Sequence, residues 1–247
     1  MKIEYNIAGT IYHSRDLSEL TLSEYNELYN ILEKGLSNED KMISILLLLT
    51  DIPYSILKHV ELDSLYSIDY EKILKQPIKV NDITGEIQGR KIKDLKKITL
   101  GEFADLDYFL TSQDYKDKRI EYIVALMLLE DYELEDIEKL ADKISNEKVS
   151  KVLSIFNHFT NWRSDIIKKY EGLFIIPEVS EDEDEDNQET VDSGWIDVIY
   201  ALSNDNILNV EDVTKQGFIK VLNFMTYKKK EADKQRAKDK LKQNNTF

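Results

Sequence analysis

The chain has 247 residues, 42% of them apolar and 33% charged, with three prolines, eight glycines and no cysteine; 33 Lys and Arg face 48 Asp and Glu, a net charge of −15. Without cysteine there is no disulfide scaffold, thiolate zinc site, thiol nucleophile or iron–sulfur centre. The composition is globular rather than disordered or fibrous, and the acidic balance argues against general binding to nucleic-acid backbones.

The length suits one large domain or two small ones, with enough chain to bury a core. The longest apolar run, Ile45-Leu46-Leu47-Leu48-Leu49, falls far short of the roughly 18 residues that a membrane-crossing helix needs, so no span is expected. Met1-Lys2-Ile3-Glu4-Tyr5 lacks the pattern of a signal peptide. The expected setting is a reducing cytoplasm or a particle assembled there.

In chain order the first feature is an internal likeness. Asp16-Leu17-Ser18-Glu19-Leu20-Thr21-Leu22-Ser23-Glu24-Tyr25 aligns with Asp94-Leu95-Lys96-Lys97-Ile98-Thr99-Leu100-Gly101-Glu102-Phe103, an offset of 78 residues. The register continues through Leu28 and Leu106, Leu32 and Leu110, Ile45 and Ile123, Leu48 and Leu126. Upstream, Ile7-Ala8-Gly9-Thr10-Ile11 resembles Ile83-Thr84-Gly85-Glu86-Ile87, shifted by two residues. Each alternating stretch with its central glycine reads as a small β-hairpin, the second turning at Asn81-Asp82 after Ile78-Lys79-Val80.

Helices follow each hairpin. Thr21-x-x-Glu24 and Thr99-x-x-Glu102 are capping boxes. Leu22, Tyr25, Leu28, Tyr29 and Leu32 share one helical face, as do Leu100, Phe103, Leu106 and Leu110, and Gly35 is placed to end the first helix. Met42–Leu49 and Ile120–Leu129 are apolar nearly all round, which predicts a buried central helix in each repeat. Pro53 opens a short helix near Tyr54–Val60, and Asp63–Leu74 predicts another. Leu134, Ile137, Leu140 and Ala141 form a face, and Glu147–Tyr170 reads as a long helix. Glu171-Gly172 and Pro177 break it around the apolar clip Leu173-Phe174-Ile175-Ile176.

Six consecutive acids, Glu181 to Asp186, read as a solvated linker, since they lack the spacing of a calcium loop. A further helical unit follows, with Ser193 as N-cap, Trp195, Val198, Ile199 and Leu202 on one face, a break at Asn204-Asp205-Asn206, a short turn from Val210 to Val213, and a helix carrying Phe218, Val221, Leu222, Phe224 and Met225. From Lys228 to Lys242 eight Lys and Arg stand against three acids, a net of +5, which leaves −20 on the rest. This basic tail reads as a solvated end, a docking strand or a nonspecific DNA-facing arm; it lacks the aromatics that stack on bases.

The expected fold is mainly α: tandem helical repeats of about 78 residues with hairpin arms and a C-terminal helical arm, divided as 1–78, 79–170, an acidic linker 171–192, and 193–247. The three histidines, His13, His59 and His158, sit in no metal-ligand spacing, and no phosphate-binding loop, dinucleotide fingerprint or nucleophile elbow occurs. No enzyme activity, cofactor or metal is therefore expected. The many tyrosines fit either interfaces or the edges of small helical cores. Candidate partner-binding residues are Trp195, Tyr200, Phe218, Phe224, Tyr227, Lys228, Lys229, Lys230 and Arg236.

Two stretches carry a resemblance. Asp94 to Leu106 is similar to a helix-opening motif, and Trp195–Leu202 with Asn206-Ile207-Leu208 and Phe218–Lys229 to the C-terminal end, of small helical proteins from tailed-bacteriophage structural modules. Such proteins occur in crAss-like and other Bacteroides phages, as virion or cargo proteins or as tail assembly chaperones. The resemblance covers about a third of the chain. It implies a non-enzymatic virion protein near the portal or tail, or packaged there as cargo. Its partners would be portal, tail or tape-measure proteins, with a homo-oligomer or ring and DNA near the basic tail. The alternatives are a tail assembly chaperone that leaves before maturation and a cellular helical-repeat adaptor.

Overall fold

The computed structural model describes residues 4–7, 9–59, 74–75, 77–80, 86–174 and 194–244, with side chains as far as Asp239. The protein is mainly helical: the described residues hold eleven α-helices and two small two-stranded antiparallel sheets. They divide into two compact units, residues 1–92 with 117–158, and residues 93–116 with 159–247. This division follows different boundaries from the 78-residue period.

In the first unit, β1 (Glu4–Ile7) and β2 (Thr10–His13) pair antiparallel through Ile7↔Thr10. Gly9 turns the chain at φ 86°, a left-handed conformation that an L side chain disfavours. The chain then runs along the end of α2 (Asn38–Leu49): Arg15 N–H donates to the Leu49 carbonyl and Asp51 N–H to the His13 carbonyl. Hairpin residues Tyr5, Ile7 and Tyr12 pack on a cluster of Met42, Leu46, Ile52 and Leu57.

Helix α1 (Leu22–Glu33) opens with the full capping box. The Thr21 hydroxyl accepts from Glu24 N–H at 3.1 Å, and the Glu24 carboxylate accepts from Thr21 N–H at 2.8 Å. Arg15 holds that carboxylate with two hydrogen bonds, 2.7 and 2.9 Å. The helix ends at Lys34 in extended backbone, so Gly35 does not supply the left-handed cap its position suggested. Helix α2 exposes Leu47, so it buries one face rather than its whole girth. Short α3 (Tyr54–Leu57) has Pro53 as its N-cap residue.

In α5 (Arg119–Leu128) every residue from Glu121 to Leu128 is buried, as its unbroken apolar run predicts. Helix α6 (Leu134–Ile144) packs beside it and buries Ile137, Leu140, Ala141 and Ile144, while Leu134 stays exposed. Long α7 (Val149–Lys169) starts against α1: Leu22 N–H donates to the Glu147 carbonyl and Val149 N–H to the Leu20 carbonyl.

In the second unit Asp94 caps a turn by accepting from Lys96 N–H, and Lys93 pairs with Glu102 at 2.5 Å. Helix α4 (Leu100–Thr111) opens with the second full capping box, Thr99 and Glu102. Leu100 N–H donates to the Gln216 carbonyl and Phe218 N–H to the Ile98 carbonyl, which sets α11 (Phe218–Asn244) beside α4. One local construction therefore occurs twice: a basic residue on the capping glutamate, a capping box, and a two-bond bridge to the start of a later helix. Its first part keeps the 78-residue offset; the bridge partners, Lys148 and Gly217, do not.

The second hairpin, β3 (Glu86–Ile87) with β4 (Arg90–Lys91), belongs to the first unit. It turns at Gln88-Gly89, both with positive φ (53° and 69°), the geometry that matches the twist of flanking strands. Around the turn, Ile87, Gly89 and Arg90 stand where Ile7, Gly9 and Thr10 stand in the first hairpin; Ile83 and Gly85 lie outside the described residues. The helix expected over 63–74 lies almost wholly outside the described residues, as do Asn81-Asp82, Ile175-Ile176, the acidic run and Ser193. The clip's Leu173 and Phe174 are instead part of short α8 (Glu171–Phe174). Helix α9 (Gly194–Leu202) gives way to the left-handed Asn204 and Asp205, and α10 (Ile207–Thr214) follows.

Candidate functional site

The second unit is built around aromatic rings. Phe103 of α4 stacks on Phe218 of α11 with centroids 3.8 Å apart and planes 10° apart, and Trp195 of α9 meets both edge-on at 5.1 and 5.3 Å. Phe103 and Phe218 are fully buried at the ends of the backbone bridge that joins their helices. Phe218, a candidate contact residue by sequence, is thus core. The reason is register: Phe218 and Phe224 are six residues apart, about 120° around α11, and the bridge turns the first of them inward.

Asp107 of α4 is the polar centre beside these rings. One carboxylate oxygen accepts from Arg163 Nε of α7 at 2.5 Å, the other from Trp195 Nε1 at 3.0 Å. Both charged side chains are partly shielded, 16% exposed for Asp107 and 25% for Arg163. Three helices are fixed to one another by a single carboxylate. Phe174, Ile167, Val198 and Met225 join these residues around a cavity of about 240 Å³. Its described lining is apolar apart from the ion pair, with no hydroxyl, imidazole or amine among its side chains. Its one carboxylate, on Asp107, has both oxygens engaged by Arg163 and Trp195.

The remaining sequence candidates lie outside this core. Tyr200 is 43% exposed, Phe224 49% and Tyr227 58%. Lys228 Nζ lies 5.7 Å from the centre of the Phe224 ring, a cation–π contact. The Tyr227 hydroxyl donates to Glu231 at 2.6 Å, and that hydrogen bond raises its pKa above the ordinary tyrosine value. Lys229 folds back so that its ammonium donates to the Gly172 carbonyl. Lys230 and Arg236 are exposed, Arg236 within 3.9 Å of Asp233.

Next to Phe224 runs a second hollow, about 200 Å³, lined by Leu202, Val213, Gln216, Lys220, Val221 and Phe224 from α9, α10 and α11. Gly101 tightens the other side of α10: a Cβ there would stand 3.2 Å from Thr214 Cβ.

The structure therefore separates the sequence candidates into two sets. Trp195 and Phe218 serve the interior, whereas Tyr200, Phe224, Tyr227 and the basic residues are on the surface. Asp107, Arg163 and the groove residues Leu202 and Val213 were not among the contact candidates read from the sequence, although Leu202 was placed on an apolar helical face. Asp107 pairs with partners 56 and 88 residues away, and nothing local marks an acid on a helix as anything but solvent-facing. Among the described residues no group of three metal-ligating side chains gathers, and no helix is long and apolar enough to cross a membrane. No protein family, curated protein or solved structure matches the chain.

Proposed function

We propose that the protein is a non-enzymatic bacteriophage virion protein, associated with the portal or tail or packaged as cargo, that acts through protein–protein contacts. One observation supports the contact role: Phe224 stays half exposed in the wall of an apolar groove on a bridged helical unit, and Tyr200 and Tyr227 are exposed on the same unit. An exposed apolar patch flanked by charge marks an interaction surface. The phage setting rests on the sequence resemblance of residues 94–106, 195–202, 206–208 and 218–229.

The test is mass spectrometry of purified particles together with co-purification from infected cells. The reading expects the protein in mature virions, bound to a portal or tail component, at a copy number that fits a closed ring. A protein that co-purifies with a tape-measure protein but is missing from mature particles is instead a tail assembly chaperone. One that binds only host proteins is an adaptor, and the virion reading fails.

A further inference from the structure

The exposed stripe of α11 extends well beyond the groove. Lys220, Phe224, Tyr227, Glu231, Lys234 and Lys238 follow one another at helical spacing and share one face of a continuous helix. The first three border or adjoin the groove, and the face then turns basic. Glu231, the single acid in this row, is already engaged by the Tyr227 hydroxyl. Lys228 and Lys230 flank the row, and all these side chains from Phe224 onward are solvent-accessible. The surface therefore has two ends of different chemistry: an apolar hollow with room for one or two large side chains, and a cationic rail running away from it.

We infer that this surface binds an acidic amphipathic helix of a partner protein, whose apolar residues enter the groove beside Phe224 and whose carboxylates lie along Lys234 and Lys238. The inference rests on the contact role proposed above and names the partner's chemistry. Charge complementarity selects that occupant. A basic helix would meet Lys220, Lys234 and Lys238, with Glu231 already shared by Tyr227 and Lys228, and like charges across an interface repel. Nucleic acid would find the cations but not the groove, because Glu231 stands in the row with Asp233 and Asp239 beside it, and an apolar hollow gives phosphates nothing. A helix seated by apolar anchors at i, i+3 and i+4 uses both ends at once.

The probe is a fluorescein-labelled helical peptide with leucines at i, i+3, i+4 and i+7 and glutamates on its remaining face, together with its lysine-for-glutamate counterpart. Fluorescence anisotropy with the full chain measures both. The acidic peptide is expected to bind and to weaken as salt is added; the basic peptide is expected not to bind. Phe224→Asp is expected to cost ~10-fold or more in affinity, as anchors at interface centres do. Lys234→Glu with Lys238→Glu is expected to weaken binding and flatten its salt dependence. These positions are exposed, so unchanged circular dichroism confirms folded variants.

Equal binding of the two peptides, or indifference to Phe224→Asp, overturns the inference. So does tight binding of a labelled oligothymidylate that ignores Phe224→Asp, which would make the rail a nucleic-acid contact. Concentration-dependent self-association that Phe224→Asp abolishes would make a second copy the occupant. If the peptide fails while the protein is still found in particles, the error lies in the surface and not in the virion reading.

Discussion

At the scale of single residues, two carboxylates, one buried and one partly shielded, make opposite predictions. Glu121 lies in the fully buried stretch of α5 and accepts one hydrogen bond, from Asn26 Nδ2 at 3.1 Å. Burial raises its pKa above the ordinary 4.5. Because the folded value lies above the unfolded one, the folded state holds this proton more firmly, and stability falls as pH rises from 4.5 through the folded value. Glu121→Gln keeps an acceptor for Asn26 and removes the buried charge. It is expected to stabilise the protein at neutral pH by about 1 kcal/mol, with the gain fading below pH ~4 where the wild-type acid is protonated. Urea unfolding at the two pH values measures it; a gain that persists in acid contradicts the account. Asp107 is the reverse case, fully engaged by Arg163 and Trp195. Asp107→Ala strands a cation and an indole N–H, so a loss of about 2 kcal/mol is expected, discounted for the partial exposure of the pair. Arg163→Met added to Asp107→Ala should recover part of that loss, because the stranded charge is gone. A double variant no better than the single would show that Asp107 acts through Trp195 alone.

At the scale of elements, the capping boxes are where local chemistry decides structure. Thr21→Ala and Thr99→Ala each remove a side-chain acceptor from the first turn, and each is expected to cost about 1 kcal/mol. They belong to different compact units, so the double variant should lose the sum to within about 0.5 kcal/mol. Thermal unfolding of the four proteins tests both size and additivity; a combined loss well beyond the sum would mean that the two caps are energetically coupled. These boxes were legible because all their determinants lie within four residues. The same holds for α5, whose apolar run admits only burial. The second hairpin was not legible in the same way. The Asn81-Asp82 turn lies outside the described residues, and the turn at Gln88-Gly89 was not foreseen, since a glutamine at φ 53° is a choice that local preference does not announce. The two-bond bridges were equally silent, since they are backbone contacts between segments over a hundred residues apart. It is these bridges that turn Phe218 inward and Phe224 outward. The division of the candidate site into core and surface therefore became visible only with the fold.

At the scale of the whole molecule, a net charge of −15 conceals −20 on one part of the sequence and +5 on a terminal arm. The described side chains of that arm, from Lys230 to Asp239, are all exposed, and among the described side chains of α11 the last buried one is Leu222. Folding and binding should thus be separable along a single helix. Deleting the chain from Lys230 onward removes no described core side chain and leaves the tie between Lys229 and the Gly172 carbonyl intact. The shortened protein is expected to unfold within a few degrees of the full chain, as surface changes of ~0.5 kcal/mol do. It keeps Phe224 and Tyr227, so it should retain a weak, apolar affinity for an acidic amphipathic helix. What it should lose is the cationic rail, and with it the steep weakening of binding by salt, because charges further than a Debye length of ~8 Å at physiological ionic strength contribute little. Anisotropy titrations of the acidic peptide across a salt series, run on both proteins, separate the two contributions. If the full chain and the shortened chain show the same salt dependence, the arm does not take part in recognition, and the polarity of the molecule serves something other than this contact.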